Sequence, residues 1–127
     1  MSIPGYKRMT IALATACVGF MVLCGFMIWR HGWLTIRVAW ASEQTKIFDE
    51  MRRQALQSDT EGATRCLNYV VGYYPSGSKQ PTGSRLDQIV ERERALAASD
   101  IVAYLRAKTG EDLGENPETW IEKYTDK

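Results

Sequence analysis

The sequence holds a single histidine, His31, and only three cysteines, Cys17, Cys24 and Cys66. With no CxxC pair and no Cys/His cluster, it lacks the usual zinc ligand sets, and no metal site is expected. A Cys–His or Ser–His catalytic pair would have to use His31, which stands at the edge of an apolar stretch and is badly placed for such work. Cys66 is the only cysteine outside that stretch, so the rest of the chain cannot close an internal disulfide. Charge of one sign is also scarce. The net charge of the 127 residues is +1, and residues 34–127 carry 13 basic side chains against 15 acidic ones. Without a clustered basic face there is no electrostatic case for nucleic-acid binding. No catalytic residue and no cofactor is expected on these grounds.

Charge is missing altogether from residues 10–29, TIALATACVGFMVLCGFMIW. A helix of these 20 residues is about 30 Å long, the thickness of a bilayer's hydrocarbon core. Lys7 and Arg8 precede it, and Trp29, Arg30, Trp33 and Trp40 supply an aromatic and basic girdle suited to a membrane interface. Two other readings compete. AWA at 39–41 resembles a signal-peptidase site, but it lies well beyond the apolar run, which is also longer than an ordinary signal core. ATAC ending at Cys17 resembles a lipobox, but the apolar run continues past it. A retained single-pass anchor in the cytoplasmic membrane, with the lipid bilayer as partner, is the reading adopted. Lys7, Arg8 and the terminal amine against Arg30 and Arg37 favour an inside N-terminus and an extracytoplasmic domain. The small-xxx-small spacing of Ala12 and Ala16 leaves a homodimer open.

The remainder reads as helical throughout, so the fold class is all-α. Residues 30–57 form a juxtamembrane amphipathic helix, with Ile36, Trp40, Ile47, Met51 and Ala55 on one stripe, Asp49–Arg53 paired on the wet side and Gly32 at its join to the anchor. Residues 58–127 form a small helical-hairpin domain with a short C-terminal helical cap, its helices at about 59–74, 84–109 and 117–124. SDTE at 58–61 has the capping-box pattern, with Ser58 as cap. The second helix buries Ala63, Cys66, Leu67, Val70, Val71 and Tyr74. Cys66 reads as a small buried apolar residue rather than a reactive thiol. The third buries Leu86, Ile89, Val90, Ala97, Ile101 and Leu105, begins at a Ser84 cap and ends at Gly110. Asn116 and Pro117 open the last helix.

Four candidate sites remain. The loop PSGSKQPTGS at 75–84 is long for a helix connection and holds Lys79, Ser84 and Arg85, which could bind an anion at a helix N-terminus. It is no P-loop: its lysine precedes the second glycine and a helix, not a strand, leads into it. Asp87 and Glu91, one turn apart, read as a solvated face among Arg85, Arg92 and Arg94 rather than an acid–base pair. Glu111, Asp112, Glu115 and Glu118 do not fit a calcium loop. Trp120 and Tyr124 either pack on the neighbouring helices or anchor an unidentified membrane or envelope protein.

YYPSGSKQPTGSRLDQIVERERA and DIVAYLRAKTGEDLGENPETWIEKY resemble a group of small membrane-anchored bacterial proteins. Their shared pattern is YYPSGxKQ, GSxLDxIVE, LRxKTGEDLG and PxxW. The resemblance covers residues 73–124 and implies a membrane-anchored helical protein, without assigning chemistry to any residue. LRAKTGEDLGENPETWIEKY is also similar to the closing segment of some HEAT-type domains, though a solenoid needs several stacked repeats. The function expected is a structural, adaptor or accessory-subunit role. Anion or ligand binding at 75–85, or an enzyme site completed by a partner, is the alternative.

Overall fold

Proline is absent between Pro4 and Pro75, so nothing in that span forces a helix to break before the Ser58–Asp59 turn. The computed structural model, which describes residues 5–125, has a first helix α1 at Gly5–Ala55. The helix runs without interruption through Gly32. Three further helices follow: α2 at Thr60–Gly72, α3 at Arg85–Thr109 and α4 at Pro117–Thr125. The described residues are helical apart from turns and connections, and contain no strand.

The chain divides into two units, Met1–Ile36 and Arg37–Lys127. Unit 1 is the apolar part of α1. An 18-residue window of α1 near the N-terminus has a mean hydropathy of 2.4 and no buried residue. The side chains of Thr10 and Thr15 donate back to the carbonyls of Tyr6 and Ile11 at 2.8 and 2.9 Å. Those hydroxyls therefore need no partner outside the helix, as an apolar surrounding requires.

Unit 2 has its own core. α1 contributes Ala41, Phe48 and Ala55; α2 contributes Leu67 and Val70; α3 contributes Ile101, Val102 and Leu105; and α4 contributes Trp120. α2 packs against both α3 and α4. Burying Phe48, which is 1 % exposed, is worth roughly 1.5–3 kcal/mol relative to leaving it in water. The buried stripe of α1 is Ala41, Gln44, Phe48 and Ala55. Ala55 is buried and Met51 packs on the core as expected, but Ala41 and Phe48 take the places of Trp40 and Ile47, one position on, and Ile36 is exposed. Two apolar phases overlap in this segment, and contact with Tyr73 at 6.1 Å between ring centroids selects the one containing Phe48. The expected Asp49–Arg53 pair is likewise replaced: Asp49 bonds Arg52 at 2.8 Å, and Arg53 pairs with Glu50.

Helix ends are set by local chemistry. α2 is capped by Asp59, whose carboxylate accepts from the Gly62 N–H at 2.8 Å. Ser58, the expected cap, instead donates to the Gln54 carbonyl at 2.7 Å and closes α1. A carboxylate at the positive end of a helix is the stronger acceptor of the two. The Ser58 carbonyl also ties α3 down, accepting from the Tyr104 hydroxyl at 2.6 Å and the Lys108 ammonium at 2.8 Å. Ser84 caps α3, and Gly110 follows it in the left-handed conformation at φ 73°.

Candidate functional site

The 75–84 loop is organised around Asp87, which the structure buries to 5 % exposure rather than leaving it on a solvated face. Its carboxylate accepts from the Ser76 hydroxyl at 2.6 Å, the Gly83 N–H at 2.9 Å and, more weakly, the Gly77 N–H at 3.4 Å. These donors favour the charged form. The Ser76 hydroxyl does so most, with the Gly83 and Gly77 amides and Arg94 adding to it, so the carboxyl titrates below its ordinary range despite its cover. Gly77 and Gly83 both have positive φ, at 87° and 75°, which turns their amides inward. A Cβ at Gly77 would lie 2.4 Å from the Thr82 hydroxyl.

This arrangement bears directly on the anion reading. The inward amides and the hydroxyl that would cradle a phosphate already serve Asp87. Ser84 accepts from the Asp87 N–H at 3.2 Å as the cap of α3. Lys79 lies over the Tyr74 ring, 3.9 Å from its centroid. Arg85 stands on an exposed face of α3 beside Gln88, Ile89 and Arg92. The loop's far end is tied to α1 by Gln80, 3 % exposed, whose amide donates to the Arg37 carbonyl at 2.7 Å.

Arg94 was expected to solvate Asp87 and Glu91, but its role is different. Its side chain is 12 % exposed, and its guanidinium donates to the carbonyls of Val71 at 2.9 Å and Tyr74 at 2.5 Å. It thereby satisfies the carbonyl end of α2, where a cation is favoured. It also lies 5.2 Å from the Phe48 ring centroid and 3.3 Å from the Glu91 carboxylate. One arginine thus joins α3 to both α1 and the end of α2.

Trp120, a candidate partner anchor in the sequence, is fully buried, and its indole N–H donates to the Gly114 carbonyl at 2.9 Å. It offers no surface to a partner while α4 stays packed. Tyr124 is half-buried, and its hydroxyl donates to Glu111 at 2.6 Å. That bond raises the Tyr124 pKa, and the Lys123 ammonium, 2.5 Å from the same carboxylate, is raised by it too. Cys66 is buried, and burial pushes its thiol up, away from the reactive thiolate. Of the interface candidates, Trp29, Arg30 and Trp33 are exposed and Trp40 is half-buried. Among the described residues no group of three His, Cys, Asp or Glu side chains is placed to hold a metal.

Sequence reasoning passed over one surface. Tyr69, Tyr73 and Tyr74 form a continuous aromatic cluster: Tyr69 stacks on Tyr73 at 5.1 Å, and Tyr74 meets Tyr73 edge-on at 4.6 Å. With Asn68 and Gly72 they line an open depression of about 390 Å³. Tyr74 has φ 39°, outside α2, and so leaves the apolar stripe it was expected to extend. The signal available was the run of three tyrosines in six residues, of which helical periodicity had assigned only Tyr74 to the core.

No protein-family model, curated protein or solved structure matches the chain.

Proposed function

We propose that this is a single-span membrane protein whose helical domain serves as a structural, adaptor or accessory subunit through protein–protein contacts. The observation that carries the reading is an apolar window of α1 with a mean hydropathy of 2.4, none of it buried, on a chain whose other unit has a complete core of its own. An apolar helix of that length, exposed along its whole surface, would aggregate in water and is stable in a bilayer. Within the domain, α2 and α3 act as an antiparallel hairpin, and α4 closes its open end through Trp120. The uncharged run supports the cytoplasmic membrane as its location, and Lys7, Arg8 and the terminal amine against Arg30 and Arg37 support a domain on the extracytoplasmic side.

Three well-covered groups of unit 2 favour a scaffold over an enzyme: Asp87 holds a loop, Arg94 a helix end and Trp120 the core. The test is affinity recovery of the full chain, tagged at its C-terminus, from mildly solubilised membranes. A protein recovered in stoichiometric amount is expected. Recovery of the chain alone, under conditions that preserve other membrane complexes, would refute the adaptor role.

A further inference from the structure

Two large apolar side chains of α3 point away from the core. Ile89 and Leu96, seven positions apart, are 45 % and 51 % exposed, while Val90, Ala97 and Ile101 on the opposite side are buried. At about 100° per residue, Arg85, Ile89, Arg92, Glu93 and Leu96 fall on one face roughly 100° wide. Charge is sorted within that face: Arg85 and Arg92 lie on one flank of the Ile89–Leu96 line and Glu93 on the other. Ala103, seven positions beyond Leu96, is exposed too and carries the line on without bulk.

These charges are unmatched among the described residues. Arg52, Arg53, Arg65, Arg94 and Arg106 each pair with an acid of unit 2. Arg85 and Arg92 pair with no described acid, and Glu93 takes neither an ion pair nor a hydrogen bond from a described residue. Arg85, Gln88, Ile89 and Arg92 also line an open depression of about 440 Å³. Their spacing is i, i+3, i+4 and i+7, that of the four-residue hole into which a facing helix inserts an apolar side chain. The arginine stems form its walls while their charged ends reach outward.

Charge complementarity supplies the occupant. A second α3 packed in parallel, about a two-fold axis along the helices, sets the basic flank of each copy against the acidic flank of the other. Arg92 then meets the partner's Glu93, twice per pair, on either side of a seam where Ile89 and Leu96 meet their own counterparts. Antiparallel packing would set arginine flank against arginine flank, and a partner helix of uniform charge would leave one flank of α3 unmatched. We propose that α3 packs in parallel on α3 of a second copy of this chain, through Ile89, Leu96 and the Arg92–Glu93 pairs. The contact lies wholly within unit 2, goes beyond the adaptor reading and does not depend on it.

The test traps the contact in the full chain with Cys17→Ala and Cys24→Ala, keeping the buried Cys66, in whichever cell fraction holds the chain. Ala103→Cys lies on the seam, and Thr119→Cys at an exposed position of α4 is the reference. Oxidation with copper phenanthroline should give a disulfide-linked dimer from position 103 and several-fold less from position 119. Arg92→Glu alone and Glu93→Arg alone should each lower the yield at position 103 several-fold. The two together exchange the flanks and should restore it, with the denaturation midpoint unchanged throughout. Cross-linking at position 103 no greater than at position 119 overturns the proposal. A yield that ignores the single reversals, or that the double variant fails to restore, overturns the parallel pairing. Capture of a different protein at position 103, with no dimer, overturns the second copy as occupant and leaves the adaptor reading standing.

Discussion

Replacing Asp87 by Asn should destabilise unit 2 more than any isosteric change within the 75–84 loop that it holds. The carboxylate takes a hydroxyl and two amides, at 2.6, 2.9 and 3.4 Å. Asparagine keeps one acceptor oxygen and turns an NH2 toward donors, so at least one covered N–H loses its partner. Hydrogen bonds to a charged group contribute about 1.5–3 kcal/mol each, and an orphaned donor costs about 1–3 kcal/mol. The 3.4 Å contact is too long to count fully. A loss of about 2–4 kcal/mol follows, a large share of the roughly 5–15 kcal/mol typical of a domain. For a unit of this size, that is a fall in Tm of roughly 8 °C or more. Urea unfolding of the full chain in detergent, with hydrogen exchange at the Gly77 and Gly83 amides, measures both the loss and its location. A change below about 0.5 kcal/mol, with both amides as protected as before, would refute the carboxylate's role.

Other outcomes follow from the same geometry. Because the Asp87 pKa is depressed on folding, its contribution is fully present above the unfolded value of about 3.9 and is lost as pH falls through the lower folded value. Acid titration of stability below about pH 4 should therefore flatten in Asp87→Asn. Arg94→Met keeps the stem but leaves the Val71 and Tyr74 carbonyls unpaired, and should cost about 2–3 kcal/mol by urea unfolding. Arg52→Ala breaks the 3.1 Å bridge to Asp100, but both partners are well exposed, so its cost should stay below about 1 kcal/mol. Trp120→Ala should cost about 3–5 kcal/mol, with Trp120→Phe intermediate, because the indole is fully buried and its N–H is bonded. Lys79→Ala with Arg85→Ala should leave any effect of added phosphate on Tm unchanged, since Asp87 already holds the loop's amides.

Local chemistry was the legible part of this chain. An uncharged run of 20 residues, a serine before α3 and a glycine after it speak for themselves, since each acts on its own segment. The failures came where partners distant in sequence decide. Ile47 and Phe48 offer competing phases, and the choice depends on Tyr73. Ile89 belongs to the same apolar pattern as Val90, yet it is 45 % exposed while Asp87 is covered, because the loop folds over the start of α3. Arg94 reads as one more charge on a charged helix until the end of α2 is brought to it from 20 or more positions away. Tyr74 matched helical spacing, and nothing in the sequence showed that it would leave the helix at positive φ. Ser58 and Asp59 are adjacent alternatives for one cap, a choice that spacing alone does not decide.

The central claim is that residues 10–29 hold the chain in a bilayer, and alkaline extraction of membranes containing the full chain tests it most directly. The intact protein should remain with the washed membranes. The double variant Val18→Arg and Leu23→Arg, which adds roughly 2.5–3.5 kcal/mol of insertion cost per arginine, should appear in the supernatant. Release of the unaltered chain by alkali would contradict the account.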